Sequence, residues 1–278
     1  ICESLFLLFC WFAPLIQTHD EETYSQVFQL LVNYCAHEEE AKRPLPPDFA
    51  FFKENFCRLS EKNWELHESY FKFGYPMPSV AYFIKEDNPT KMHNLLSATD
   101  QYDTIDKKYE MSYDVNQRIE DSLFEKSEFI RARPTLIQFA AFFGARKCYT
   151  FLLSKGADIS IPDDEGKTLP QFIIAGGYFR VVKHGENPPP SPKLFDLRID
   201  DIIQVGPKTV IPAFQEEEEL HEEEKYLRVD PEEYLRIIKT AIQFNQFELY
   251  EQLINVANCD ITILNPHRIS ILHLAAST

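Results

Sequence analysis

The middle third of the sequence reads Thr135-Leu136-Ile137-Gln138-Phe139-Ala140-Ala141-Phe142-Phe143-Gly144. The small residues Ala140 and Ala141 lie among large apolar ones, which lets a second helix approach closely. Thirty-three residues after Thr135, the chain reads Thr168-Leu169-Pro170-Gln171-Phe172-Ile173-Ile174-Ala175-Gly176-Gly177. Thr, Leu, Gln, Phe and the closing Gly recur in register. This self-similarity predicts a structural repeat of about 33 residues.

The residues between the two copies complete one repeat. Leu152 and Leu153 lie in a second apolar segment, and Gly156-Ala157-Asp158 follows it. The stretch Asp164-Glu165-Gly166-Lys167-Thr168 is typical of a turn that leads into the next copy. We therefore expect each repeat to be two antiparallel helices and a loop. Since one such unit cannot bury its apolar face alone, neighbouring units must stack.

Weaker copies lie downstream. Residues 236–254 carry Ala241 at the first Ala position and Asn245 at the Gly position. Asn is the usual second choice where the backbone angle φ must be positive. A clearer copy at residues 270–276 contains His273.

A further copy is expected upstream, beginning near Ser79. It places Asn88 at the Gly position and Leu96 in the Leu pair. Asp87 or Asn88 can also cap a helix whose first residue is Pro89. The predicted repeats therefore start near residues 79, 135, 168, 236 and 270.

This pattern resembles the ankyrin repeat, which reads D-x-x-G-x-T-P-L-H-x-A-A-x-x-G, then V-x-x-L-L, then G-A-D. The best copy is 135–167, and its amino-acid sequence is similar to the repeats of the large ankyrin family expanded in parasitic protists. Two departures are clear: Pro134 lies before the Thr, and Gln138 and Gln171 replace the family's His. In the family, that His forms hydrogen bonds that link neighbouring loops. An amide can also donate and accept hydrogen bonds, so the link need not be lost.

The resemblance implies an all-α fold, in which a helical N-terminal region is followed by a solenoid of helix–turn–helix repeats. It places the N-terminal region at 1–76 and the repeats at 79–278, with an irregular Pro- and Glu-rich insertion at 184–228. The positions that serve the repeat structure are Thr135, Ala140, Ala141, Gly144, Leu152, Leu153, Gly156, Thr168, Gly177 and His273.

The resemblance also implies a non-catalytic interaction module that binds a protein partner of unknown identity. Partners of ankyrin proteins usually meet the loop tips and the inner helices of the concave face. The residues this implies for partner contact are Phe139, Phe142, Phe143, Asp163, Asp164, Glu165, Lys167, Phe172 and Gln243. For the Phe residues the alternative is packing in the core, and solvent exposure separates the two interpretations.

The insertion has two biased segments. Asn187-Pro188-Pro189-Pro190-Ser191-Pro192 can be a polyproline ligand or a phosphorylation site at Ser191, or else a solvated loop. Seven Glu between Glu216 and Glu224 can attract a basic partner or form a solvated, self-repelling run.

Composition excludes several classes of function. With 44 acidic and 28 basic residues the formal net charge is −16, which argues against nucleic-acid binding. Eight glycines form no phosphate-binding motif, and six cysteines form no C-x-x-C pair. His221 lies among the Glu run without further His or Cys ligands nearby. We expect no catalysis, cofactor, metal or small-molecule substrate.

The N-terminal segment Leu5–Ile16 is almost entirely apolar. It is shorter than the roughly 20 residues that span a bilayer. A buried core helix is the expected interpretation, and a signal or membrane anchor is the alternative. The cysteine usage fits a reducing, cytoplasmic location. Two other functions remain open: an enzyme or a membrane-associated protein whose activity lies in the N-terminal region, with the repeats as a targeting appendage.

Overall fold

A computed structural model describes residues 3–42, 47–99, 113–182, 195–198 and 231–256. Among these residues the chain is mostly helical, with one two-stranded sheet, which confirms the all-α prediction. The helices are α1 (Glu3–His19), α2 (Glu21–Glu40), α3 (Pro47–Leu59), α4 (Glu65–Phe73), α5 (Val80–Lys85), α6 (Pro89–Thr99), α7 (Leu136–Phe142), α8 (Arg146–Ser154), α9 (Leu169–Gly176), α10 (Pro231–Gln243) and α11 (Phe247–Val256). Short 3-10 turns cover Glu61–Trp64 and Glu128–Ile130, and the strands are β1 (Phe179–Val182) and β2 (Phe195–Arg198).

The chain divides into two compact units. Unit 1 holds residues 1–113 and 118–133, and unit 2 holds residues 114–117 and 134–278. The helix pair α5–α6, which the sequence assigns to the repeat region, belongs to unit 1. The predicted copy at 270–276, with His273, lies outside the described residues.

An aromatic core holds unit 1 together. One side of α1 supplies Phe6, Phe9, Cys10 and Ala13, all buried. The Phe6 ring stacks on Phe49 of α3 with centroids 4.0 Å apart. The apolar stretch Leu5–Ile16 thus lies in a helix that packs into this core. Among the described residues, no helix is long and apolar enough to cross a membrane.

Two sets of partly buried ion pairs, in which the acids Asp48 and Glu125 are buried, connect the segment before residue 133 to the helices of unit 1. The Arg131 guanidinium bonds both Asp48 at the start of α3 and Asp121. Lys85 of α5 bonds Glu125 at 2.7 Å and the carbonyl of Phe73 at 2.7 Å. Such buried pairs are costly to break singly, since the remaining charge then lacks its partner.

His67 is a buried titratable group within the aromatic core. Its Nε2 lies 2.8 Å from the carbonyl oxygen of Cys10, and its ring packs edge-on against Trp64 and Phe124. Burial lowers the pKa of His67 below its ordinary value of 6.5, so the folded state holds the neutral ring.

Acid is therefore expected to destabilise unit 1 through His67. Below pH of about 6.5 the unfolded chain takes up this proton more readily than the folded chain, so the free energy of unfolding falls as the pH falls. Urea unfolding followed by the fluorescence of Trp11 and Trp64, both in unit 1, measures this at pH 7.5 and 5.5. His67→Gln removes part of the pH dependence. A pH dependence equal to that of the unaltered chain would contradict the assignment.

The turn between α5 and α6 corrects one expectation. The residue with positive φ is Asp87, at 49°, and not Asn88. Helix α5 is one residue shorter than α7, so its turn arrives one position earlier. The Asn88 side chain instead caps α6, accepting a hydrogen bond from the Lys91 N–H at 3.0 Å.

Unit 2 is built from helices joined by matching turns. Helix α7 packs against α8 and α9, α9 packs against α10, and α10 packs against α11. The predicted turn residues Gly144, Gly177 and Asn245 all have positive φ, at 65°, 73° and 56°. This confirms the expectation that each ends the first helix of its copy in a left-handed cap.

A small parallel sheet includes four residues of the predicted insertion. Strand β2 lies inside 184–228, and it pairs with β1 from Phe179↔Phe195 to Val182↔Arg198. The rest of the insertion lies outside the described residues.

Gly144 permits no side chain. Its φ of 65° is strained for L residues, and a Cβ there would lie 2.6 Å from the ring of Tyr178. Gly144→Val is therefore expected to lower the free energy of unfolding by about 1–2 kcal/mol. Thermal unfolding followed by far-ultraviolet circular dichroism measures the change. An unchanged melting midpoint would contradict this assignment of the turn.

Arg133 holds a backbone position that Gly would suit better. Its φ is 51°, and Gly166, 33 residues later, has φ of 80°. Arg133→Gly should raise the free energy of unfolding by about 0.5 kcal/mol, because relief of left-handed strain exceeds the added entropy of the unfolded chain. Arg133→Ala keeps the strain and loses the exposed pair with Glu120, so chemical denaturation should show no gain for it.

Candidate interaction surface

Helices α7 and α9 begin with the same reciprocal cap. Thr135 precedes α7, and its backbone N–H donates to the Gln138 side-chain oxygen at 2.8 Å. Thr168 precedes α9, and its backbone N–H donates to Gln171 at 3.0 Å. Each Thr and Gln pair thus satisfies two donors that a helix start otherwise leaves unpaired.

The same two Gln side chains also link neighbouring elements. The Gln138 amide nitrogen donates to the carbonyls of Ile161 at 2.8 Å and Lys167 at 3.2 Å, in the loop that leads into α9. The Gln171 nitrogen lies 3.3 Å from the hydroxyl of Thr240 on α10. A buried amide therefore bonds its own helix start and the next element together, as the sequence suggested Gln can do in place of His.

The loop tip after α8 is organised around Asp163. Its carboxylate accepts from the backbone N–H groups of Glu165 at 3.0 Å and Lys167 at 2.6 Å. The Lys167 ammonium bonds Asp163 and Glu165 as well. Asp163 is buried, which corrects its expected partner contact: this side chain builds the turn. Asp164 and Glu165 are exposed.

The inner helices are more buried than expected. Phe139 and Phe172 are both 0% exposed, so they are core residues, and the expectation that they contact a partner is corrected. Residues 136–141 of α7 and 169–175 of α9 are buried throughout. Both helices are apolar nearly all round, and such helices are covered on every side.

Accessible aromatic side chains lie instead at the carboxyl ends of these helices. Phe142 and Phe143 are half-buried, and their rings pack at 5.1 Å. The Phe142 ring also lies 6.4 Å from Phe244, which follows α10. Gln243 beside it is exposed, and Tyr178 is 50% exposed. We call Phe142, Phe143, Tyr178, Gln243 and Phe244 the turn surface.

Two glycines lie at the end of α9. Helix α9 ends at Gly176, and Gly177 caps it. A side chain on Gly176 would overlap the Phe142 carbonyl oxygen. Tyr178 and Phe244 were not among the candidates predicted from the sequence. The signal for Phe244 is present, because it precedes Asn245 as Phe143 precedes Gly144.

Exposed charged side chains of both signs lie at the ends of the helices in unit 2. The loop after α8 carries Asp158, Asp164 and Glu165, with Lys155 before it, while Arg146 and Lys147 lie at the start of α8 and Glu248 lies at the start of α11.

Comparison with known proteins leaves the family open. No family model matches the chain, and no curated protein matches it. In the described part of the chain, no group of three or more His, Cys, Asp or Glu is placed to hold a metal ion.

Proposed function

We propose that this protein is a non-catalytic interaction module of the ankyrin-repeat type, which binds a protein partner through unit 2. The observation that carries the proposal is the turn surface, where aromatic rings from separate helix pairs meet and stay accessible. Aromatic side chains are the usual anchors of protein interfaces, since they combine large apolar area with few rotatable bonds.

The repeat assignment is supported by three coincident features of unit 2. Matching capping boxes open α7 and α9, left-handed turns close α7, α9 and α10, and Gln138 bonds into the next loop. Neighbouring helix pairs joined in this way form a rigid support for side chains at their ends.

The partner surface we propose joins the turn surface with the exposed acids of the loop tip, Asp164 and Glu165. A rigid aromatic centre supplies affinity, and a charged rim supplies orientation and specificity. The buried Phe139, Phe172 and Asp163 hold this surface in place without contacting the partner.

Affinity capture with the intact chain, followed by measurement of binding to the captured protein, tests the proposal. Tyr178→Ala/Gln243→Ala should weaken binding by at least about tenfold, because it removes accessible parts of the turn surface. Leu153→Ala/Ile159→Ala is the matched control, since these residues are 42% and 46% exposed outside that surface. Equal binding by both variants, with unchanged thermal unfolding, would contradict the proposed surface.

A further inference from the structure

One aromatic ring of the turn surface lies flat against the backbone. The point that a Cβ on Gly144 would occupy is 2.6, 2.6 and 2.8 Å from three ring atoms of Tyr178. Nearly equal distances to three atoms of one ring place that point over the face of the ring. The side chain is nevertheless 50% exposed, so the opposite face is open to a ligand. Tyr178 thus forms a platform on which an apolar group of a ligand can stack.

Uncharged hydrogen-bond donors adjoin this platform. The Gln246 amide nitrogen lies 3.1 Å from the point that a Cβ on Gly177 would occupy, beside the residue before Tyr178. Tyr178 has its own hydroxyl group, and the exposed Gln243 carries a second amide. Within the described part of the chain, none of these three side chains forms a hydrogen bond with another residue. The donors are therefore available to a ligand.

The phenylalanine rings of the turn surface meet edge to face. Phe142 and Phe143 are inclined at 76°, with centroids 5.1 Å apart. Phe142 and Phe244 are inclined at 84°, with centroids 6.4 Å apart. Such packing leaves steps between the face of one ring and the edge of the next. Compact apolar rings of a ligand can fill these steps.

These features match the needs of a proline-rich ligand. A polyproline II helix has no internal hydrogen bonds, and its prolines have carbonyl groups but no N–H groups. It therefore takes donors from its partner and asks for no acceptors, while its pyrrolidine rings pack on aromatic side chains.

Two other peptide conformations match the turn surface less well. An α-helix satisfies its own backbone groups, so it would cover the Tyr and Gln donors without pairing them, which costs free energy. An added β-strand pairs through main-chain hydrogen bonds with a sheet edge, whereas the turn surface consists of side chains.

We infer that the turn surface binds a proline-rich segment of another protein in the polyproline II conformation. This inference rests on the function proposed above and specifies the chemistry of the partner. Tyr178 supplies the stacking face for one pyrrolidine ring, and Phe142 with Phe143 packs against a second. Gln243 and Gln246 donate hydrogen bonds to carbonyl groups of the ligand.

The test uses the intact chain and a fluorescently labelled decaproline peptide, whose binding is followed by fluorescence anisotropy. The unaltered chain should bind the peptide. Tyr178→Leu keeps an apolar side chain and removes the stacking face, so it should weaken binding by at least about tenfold. Phe71→Leu in unit 1, where Phe71 is 43% exposed, is the matched control and should bind as the unaltered chain does.

A second variant tests the hydrogen-bond donors separately. Gln243→Leu/Gln246→Leu nearly keeps the size of both side chains and removes both amides, so decaproline binding should fall by at least about fivefold. A labelled peptide of alternating Gly and Ser with the same length has neither pyrrolidine rings nor a preformed helix, and it should not bind.

Four results would overturn the inference, provided thermal unfolding shows that each variant is folded. The first is equal binding by Tyr178→Leu and Phe71→Leu. The second is equal binding of the Gly and Ser peptide. The third is binding that appears only in Pro188→Ser/Pro189→Ser/Pro190→Ser, since this would assign the surface to the chain's own proline-rich segment. The fourth is no decaproline binding while Tyr178→Ala/Gln243→Ala still weakens binding of the captured protein, which would remove the proline chemistry and leave the proposed function standing.

Discussion

Gln138→Ala is expected to lower the free energy of unfolding of unit 2 by about 3 kcal/mol. Gln138 is 1% exposed, and its amide accepts from Thr135 and donates to Ile161 and Lys167. Alanine removes all three bonds and leaves the buried Thr135 N–H without this acceptor. The expected loss exceeds that of an ordinary hydrogen bond, because buried polar groups are left unpaired.

Tryptophan fluorescence and circular dichroism together show which unit the Gln138→Ala substitution destabilises. The two tryptophans, Trp11 and Trp64, both lie in unit 1, whereas far-ultraviolet circular dichroism reports helices of both units. The variant should therefore shift the circular dichroism transition in urea more than the tryptophan fluorescence transition. Gln243→Ala makes the same chemical change at an exposed position and should cost less than about 0.5 kcal/mol. Equal effects of the two substitutions would contradict the bridging role of Gln138.

Gly176→Ala should also destabilise unit 2 by about 3 kcal/mol, although Ala is the better helix former by about 1 kcal/mol. Gly176 is the last residue of α9, and α9 packs closely on α7. A Cβ there would overlap the backbone carbonyl of Phe142 and lie 3.0 Å from that of Ala141. Backbone atoms cannot rotate away as a side chain does, so the two helices must separate.

Gly156→Ala is the matched control for this prediction. Gly156 has φ of 84°, but a Cβ there would meet no atom within 4 Å. The control should cost only the left-handed strain, about 1 kcal/mol. Urea unfolding of both variants measures the difference. Stabilisation by Gly176→Ala would mean that helix propensity outweighs packing, and that α7 and α9 do not approach closely.

Local pattern was sufficient to predict much of unit 2. Gly144, Gly177 and Asn245 predict where helices end, because few residue types adopt the positive φ that such a helix end requires. The small Ala140 and the buried Leu152 likewise follow from spacing. The left-handed turn after α5 was predicted at Asn88 and lies at Asp87. Helix α5 is one residue shorter than α7, and the sequence motif does not indicate this shortening.

Burial was harder to predict than helix position. Phe139 and Phe172 were candidates for partner contact, and both are core residues because α7 and α9 are covered on all sides. Tyr178 became a candidate only through its position over Gly144. Strand β2 was missed because a four-residue strand is too short for alternation to be distinguished. Such features depend on which elements become neighbours in space, and a single sequence does not display that.

In unit 1 the exposed apolar side of α1 was likewise not predictable from the sequence. The stretch Leu5–Ile16 could be recognised as apolar, and one side of α1 is indeed buried in the core. The outward Leu8, Phe12 and Leu15 become noticeable only with Phe71 beside them, which comes from a distant part of the chain. Sequence periodicity predicts a buried stripe and does not show when a helix carries a second apolar side.

The free energy of unfolding of Gln138→His, measured beside Gln138→Ala, tests the repeat assignment most directly. Histidine occupies this position in the ankyrin pattern, and its two ring nitrogens can accept from Thr135 and donate to one loop carbonyl. We predict that Gln138→His costs less than about 1 kcal/mol and so restores most of the stability lost in Gln138→Ala. A His variant as unstable as the Ala variant would contradict the account that Gln138 takes the place of the repeat histidine.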